Sequence, residues 1–143
     1  DFSANSIGDE GTAALSEALK TNSTLETLAL RSNKVGAAGA QSLAGMLQVN
    51  RSLTSVNLLQ NYLGDGATAV VAAAKQHGNI KTLCGIEQGK AEVSFSHQGL
   101  KASDAVLLLF DLEVNRALAS LVLDVNEIGA GGAQAIAAAL PQS

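Results

Sequence analysis

His77, Cys84 and His97 are the side chains of this chain on which soft-metal or nucleophilic chemistry would draw. Structural zinc is held by cysteines and histidines in closely spaced pairs, and no second cysteine stands anywhere in the sequence to pair with Cys84. A Cys–His nucleophile needs an imidazole beside the sulfur and a lowered thiol pKa. Cys84 instead follows Leu83 in a strand-like stretch, where a thiol behaves as a small hydrophobe. The segment "LVLDVNEIGAGGAQAIAAAL" has the strand, glycine and helix order of a dinucleotide fingerprint. The spacing fails, because Gln134 stands where the third glycine belongs after Gly129 and Gly131. Asp111 and Glu113 are two apart on an expected helix, so they share no face and read as solvated surface. The chain is therefore expected to be no enzyme, with no catalytic, cofactor-binding or metal-binding residues.

The bulk composition sets the frame for what remains. The chain has 143 residues, enough for one domain with a sizeable core. It is 47% hydrophobic, 15% charged and 3% aromatic, without Trp, so the core must be built from Leu, Val, Ile and Ala. One Pro and 14 Gly argue against a linker-rich chain. Net charge is −4, with no run of Lys or Arg, which argues against nucleic acid or an anionic membrane as a partner. The longest apolar runs, such as "AVLLLF" at 105–110, are too short to span a bilayer. A lone cysteine fits a reducing compartment.

One pattern then recurs along the chain. "LETLALRSNKVG" at 25–36 places Leu25, Leu28, Leu30 and Val35 around Asn33. "LTSVNLLQNYLG" at 53–64 and "LASLVLDVNEIG" at 118–129 repeat the offsets around Asn61 and Asn126. Asn5, Asn33 and Asn61 are spaced by 28, and 28 before Asn126 stands Gln98. The interval from Asn61 to Gln98 is 37, so one unit carries nine extra residues. After each marker comes a segment such as "GAQSLAGMLQVN", with apolar residues three and four apart, which is helical spacing. Each unit is thus a short strand, an amide turn and a helix, expected to stack on its neighbours as a parallel sheet with helices outside. A helix takes more room than a strand, so the stack should curve with its strands on the concave side. Strands are expected at 27–31, 55–59, 93–95 and 120–124, and helices at 11–20, 39–48, 66–76, 103–113 and 131–140. Leu28, Leu30, Leu58, Leu121 and Leu123 should be fully buried. The marker amides should satisfy backbone groups in the turns, with a looser turn at Gln98. Asn22, Asn50 and Asn115 should end helices in the left-handed conformation.

With its period and the copies of "LETLALRSNKVGAAGAQSLAGMLQVN", the chain resembles the ribonuclease-inhibitor type of leucine-rich repeat. The subtype also occurs in the sensor regions of nucleotide-binding immune receptors and in the Ran GTPase-activating protein. The resemblance implies an α/β horseshoe solenoid: an intracellular, cytoplasmic, non-enzymatic scaffold that binds a protein partner and needs no cofactor. Residues 1–143 should form a single domain of about five repeats, interrupted by an insertion near 84–92 and belonging to a longer protein. The insertion, "GIEQGKAE", is expected to protrude as a turn or short hairpin.

Side chains between the core leucines of each strand should point into the concavity. Arg31, Asn57, Leu59 and Asp124 are the residues expected to carry binding, with Leu59 as an exposed apolar anchor. Two other functions fit the same scaffold. One is an architectural subunit of a large assembly. The other is an activator of a small GTPase, for which Asp9, Glu10, Asp65 and Glu127 would supply acidic loop edges.

Overall fold

The computed structural model describes residues 1–139. Helices and strands alternate as α1 (Gly8–Thr21), β1 (Thr27–Ala29), α2 (Ala37–Leu47), β2 (Ser55–Asn57), α3 (Gly66–His77), β3 (Glu92–Ser94), α4 (Ala102–Val114), β4 (Ser120–Val122) and α5 (Gly129–Ala139). The expected elements are all present, and the expected helix end at Leu140 lies outside the described residues. β1, β2 and β4 are each two residues shorter than expected, β3 has the expected three residues one position earlier, and a repeated bend follows every strand. Ala4, Ser32, Gln60, His97 and Val125, each just before a marker, all have φ between +54° and +60°. A left-handed residue cannot continue a strand, so the chain leaves the sheet there.

β1 pairs with β2, and β3 with β4, both parallel and in chain order. The helices likewise pack on their sequence neighbours, α1 on α2, α2 on α3 and α4 on α5, while α3 and α4 touch least. Leu28, Leu30, Leu43, Leu47, Leu58, Leu63, Leu83 and Leu107 form the fully buried filling between strands and helices. Each contributes about 1.5–3 kcal/mol of transfer free energy. Leu121 and Leu123 depart from expectation: they are only half-buried, and among the described residues β4 pairs with β3 alone.

The marker asparagines do the work expected of them. Asn61 Oδ1 accepts the N–H groups of Asn33 and Val35 at 2.9 and 3.0 Å, and its Nδ2 donates to the carbonyls of Leu30 and Leu58 at 2.9 and 3.0 Å. Asn33 treats Asn5 and Ile7 in the same way, and Asn126 treats Gln98 and Leu100. The second amide series works differently from expectation. Asn22 and Asn115 have extended backbones, and Asn50 is not left-handed either. Their side chains fold back instead. Asn50 Oδ1 accepts the N–H groups of Ser52 and Leu53, while its Nδ2 donates to the carbonyls of Leu19 and Asn22 in the preceding unit. A side-chain bond two or three residues on makes the turn that a left-handed residue would otherwise make.

The sheet is interrupted at the insertion. Residues 82–84 continue the ladder of β2, since the Val56 and Leu58 N–H groups donate to the carbonyls of Thr82 and Leu83. β3 then begins a separate pair with β4. Two half-strands thus occupy one unit, around Leu83 and Val93. Between them the chain turns through Gly85 and Gly89, and residues 87–92 are exposed.

Candidate interaction surface

Two buried carboxylates hold the interrupted ladder together. Asp104 and Asp111 lie seven residues apart on α4, which is two helical turns, so they share a face. Each is 1% exposed. In the intact part of the ladder, strand N–H groups donate to carbonyls of the next strand, as Ser32 does to Leu59. At the interruption a carboxylate replaces that carbonyl. Gln60 N–H donates to Asp104 Oδ1 at 2.9 Å, and Leu83 N–H donates to Asp111 Oδ1 at 2.8 Å. The Thr82 hydroxyl donates to Asp111 Oδ2 and accepts the N–H groups of Cys84 and Ile86, each at 3.0 Å. The reading of Asp111 as solvated surface is therefore corrected. Glu113, two residues on, is exposed and pairs with Lys75 at 3.2 Å. The signal lay in "DAVLLLFD", where two acids stand two turns apart in an otherwise apolar helix.

Burial governs the electrostatics here. It pushes the Asp111 carboxyl up to about 6, against the opposing hydrogen bonds from Leu83 and Thr82. Burial likewise raises Asp104, partly offset by the N–H groups of Lys101 and Gln60. Burial pushes the Cys84 thiol well up, and the neighbouring Asp111 and Asp104 add to the effect. A thiol held protonated in this way is no nucleophile. His77 is buried and shifted down, first by burial and then by Arg51; its Nδ1 accepts the Asn79 N–H at 3.2 Å. Among the described residues no group of three or more His, Cys, Asp or Glu could hold a metal.

The expected binding residues fare unequally. Arg31 is half-buried and acts as a clamp: its Nε donates to Gln60 Oε1 at 2.8 Å and its Nη2 to Gln98 Oε1 at 2.6 Å. Gln98 thus departs from the expected marker role. Its side chain faces Arg31 rather than the backbone of the preceding unit, and Asp104 takes over there. Asn57 is half-buried; its Oδ1 accepts the Leu59 N–H at 3.1 Å. A Cβ placed on Gly85 would lie 2.6 Å from Asn57 Nδ2, and Gly85 has φ +73°, so only glycine fits. Asp124 is exposed, as expected. Leu59 is the correction: it is 0% exposed. The fourth unit closes over segment 58–60, where Gln60 donates its backbone N–H to Asp104 and its side-chain amide to the Gln98 carbonyl. An apolar side chain at this closed seam is core, so Leu59 is no anchor. Arg31 and Asn57 stand beside this seam, while Asp124 follows β4 in the second sheet.

The seam opens outward as a cleft of about 370 Å³, lined by Ser32, Lys34, Gln60, Tyr62, Gln98 and Lys101. Two of the four acids considered as loop edges are already engaged. Asp9 Oδ1 accepts the N–H groups of Gly36 and Gly39 at 2.6 and 3.0 Å, and Glu127 pairs with Lys101 at 3.0 Å.

Residues 21–44 and 114–137 each match the family model described as "Leucine Rich repeat". The two stretches begin 93 residues apart, three periods of 28 plus the nine extra residues. No curated protein matches the chain by sequence. Among solved structures, one titled "Leiomodin-1 Actin-Binding Site 2 (ABS2)" superposes with a TM-score of 0.58 at 21% identity, covering 98% of this chain and 76% of that one. Two stretches that match the leucine-rich repeat thus sit in an α/β fold of short parallel strands and helices, shared with that structure.

Proposed function

We propose that the chain is a non-enzymatic, intracellular scaffold for protein–protein interaction, a curved solenoid of the ribonuclease-inhibitor-like repeat type that binds its partner through the concave strand face. The observation that carries this reading is the strand layer itself. Parallel strands succeed one another in chain order, pinned by the marker asparagines, and in or just after them stand small polar side chains: Asn57, Ser94 and Asp124. A rigid row of such side chains spanning several units can touch one partner at many points. Asp124 is the residue best placed to contact it directly, and Arg31 supports the surface by clamping the seam. The burial of Cys84, which holds its thiol protonated, argues against a nucleophilic role for that residue.

The structural neighbour is named for an actin-binding site, so actin is the first defined probe. The immobilised chain is tested against actin and against an extract of the source cells, alongside Asp124→Lys, Asn57→Lys and a helix-side control, Glu17→Lys. Loss of the same partner from both strand variants, with Glu17→Lys unaffected, supports concave-face binding. Retention by both folded strand variants, with loss in the helix control, overturns it.

A further inference from the structure

The interruption of the sheet leaves two edges that differ. The edge of residues 82–84 is closed, because Asp111 takes the Leu83 N–H and Thr82 Oγ1 takes those of Cys84 and Ile86. The facing edge of β3 is open: β3 pairs with β4 on one side and has no strand partner on the other among the described residues. Glu92 and Ser94 on it are exposed. Between β3 and the turn of residues 85–90 that follows the closed edge lies an open groove of about 290 Å³, lined by Gly85, Ile86, Glu87, Lys90, Val93 and Phe95. We propose that this groove and the open edge of β3 take up an extended peptide segment of a protein partner as an added strand, with an apolar side chain against Ile86, Val93 and Phe95 and a basic side chain opposite Glu92.

Main-chain hydrogen bonds hold a peptide to an open sheet edge, and adjoining pockets select alternate side chains. Proteins usually blunt such an edge with Lys, Pro or a bulge. β3 and the residues that follow it, "EVSFSHQ", carry no Lys and no Pro. The charge of the rim selects the occupant. Glu87 and Lys90 pair with each other at 3.9 Å, whereas Glu92 has no ion-pair partner among the described residues. A Lys or Arg on the incoming strand completes it, and an acidic residue is repelled. This inference rests on the protein-binding reading above but uses a different surface, the edge instead of the concave face.

The test uses the isotope-labelled full chain and blocked peptides in which Lys or Glu alternates with Val. The Lys–Val peptide should shift the amide resonances of Ile86, Ser94 and Ser96 saturably and bind ~10-fold more tightly than the Glu–Val peptide. Glu92→Lys, at an exposed position, should reverse that preference. N-methylation of one alternate set of peptide residues should abolish binding, and of the other set leave it intact. Absence of saturable shifts at β3, a preference unchanged by Glu92→Lys, or equal binding of both N-methylated forms overturns the assignment. So does sedimentation showing that a second copy of the chain already occupies the edge. Asp124→Lys separates the two readings. If it loses the partner but keeps the peptide, both surfaces stand. If it keeps the partner while Glu92→Lys loses it, the concave-face reading fails and the edge remains.

Discussion

Val125 is a β-branched residue at φ +54° and 69% exposed, in a turn where four other units tolerate Ala, Ser, Gln or His. The left-handed region is strained for any L-residue and most for a β-branched one, whereas Asn adopts it readily. Val125→Asn should therefore stabilise the chain by about 1 kcal/mol, read as a rise in urea midpoint at unchanged slope. The opposite outcome is expected at Asn61. Asn61→Ala leaves the N–H groups of Asn33 and Val35 and the carbonyls of Leu30 and Leu58 without their partner inside the core. The expected loss is about 3 kcal/mol, near the top of the range for an unsatisfied buried site. Both residues belong to one turn motif, so the pair of measurements separates its strain from its hydrogen bonding.

Helix α4 carries the seam through two acids, which makes its contribution pH-dependent. Asp111 titrates near 6 when folded and near about 4 when unfolded. Between those values the folded chain holds a proton that the unfolded chain has released. Stability from this group is therefore full below about pH 4 and falls as pH rises through about 6. Asp111→Asn still offers an oxygen to the Leu83 N–H and carries no charge. It should match the parent near about pH 4 and exceed it by roughly 1–3 kcal/mol above about pH 7, in urea unfolding at a series of pH values. His77 has the opposite sign: its lowered pKa favours the folded state at high pH and is lost as pH falls. Because His77 is common to both proteins, it cancels in the difference. Just after β1 and on β4 the core leucines divide in the same measurable way. Leu30→Ala, at 0% exposure, should cost about 2–5 kcal/mol, and Leu121→Ala, half-buried, clearly less.

At the scale of the whole chain, stability is a sum over units and the interfaces between neighbours. The weakest interface is between α3 and α4, where a strand ladder is replaced by side-chain bonds and the helices touch least. Hydrogen exchange should therefore show the units on either side of residues 85–91 opening as separate blocks, with lower protection after the seam than before it. Leu58→Ala should loosen the second and third units first. Loosening of the fifth unit alone would contradict nearest-neighbour coupling.

Much of this was legible from residue spacing. A period of 28, apolar residues at fixed offsets and an amide in each turn dictate strand, turn and helix, because each local pattern permits only one way to bury its apolar face. The nine extra residues were countable, and so was the insertion they form near 84–92. What the spacing does not carry is which neighbour fills the gap that the insertion opens. Only the packed chain brings α4 against residues 60 and 83, and that placement turns Asp111 from a surface acid into a buried ladder partner. The same placement moves Gln98 off the marker role to meet Arg31, and closes Leu59 into the core. Local periodicity fixes what a residue offers along its own unit. Burial depends on contacts made across units, and where the period breaks, only the tertiary fold decides them.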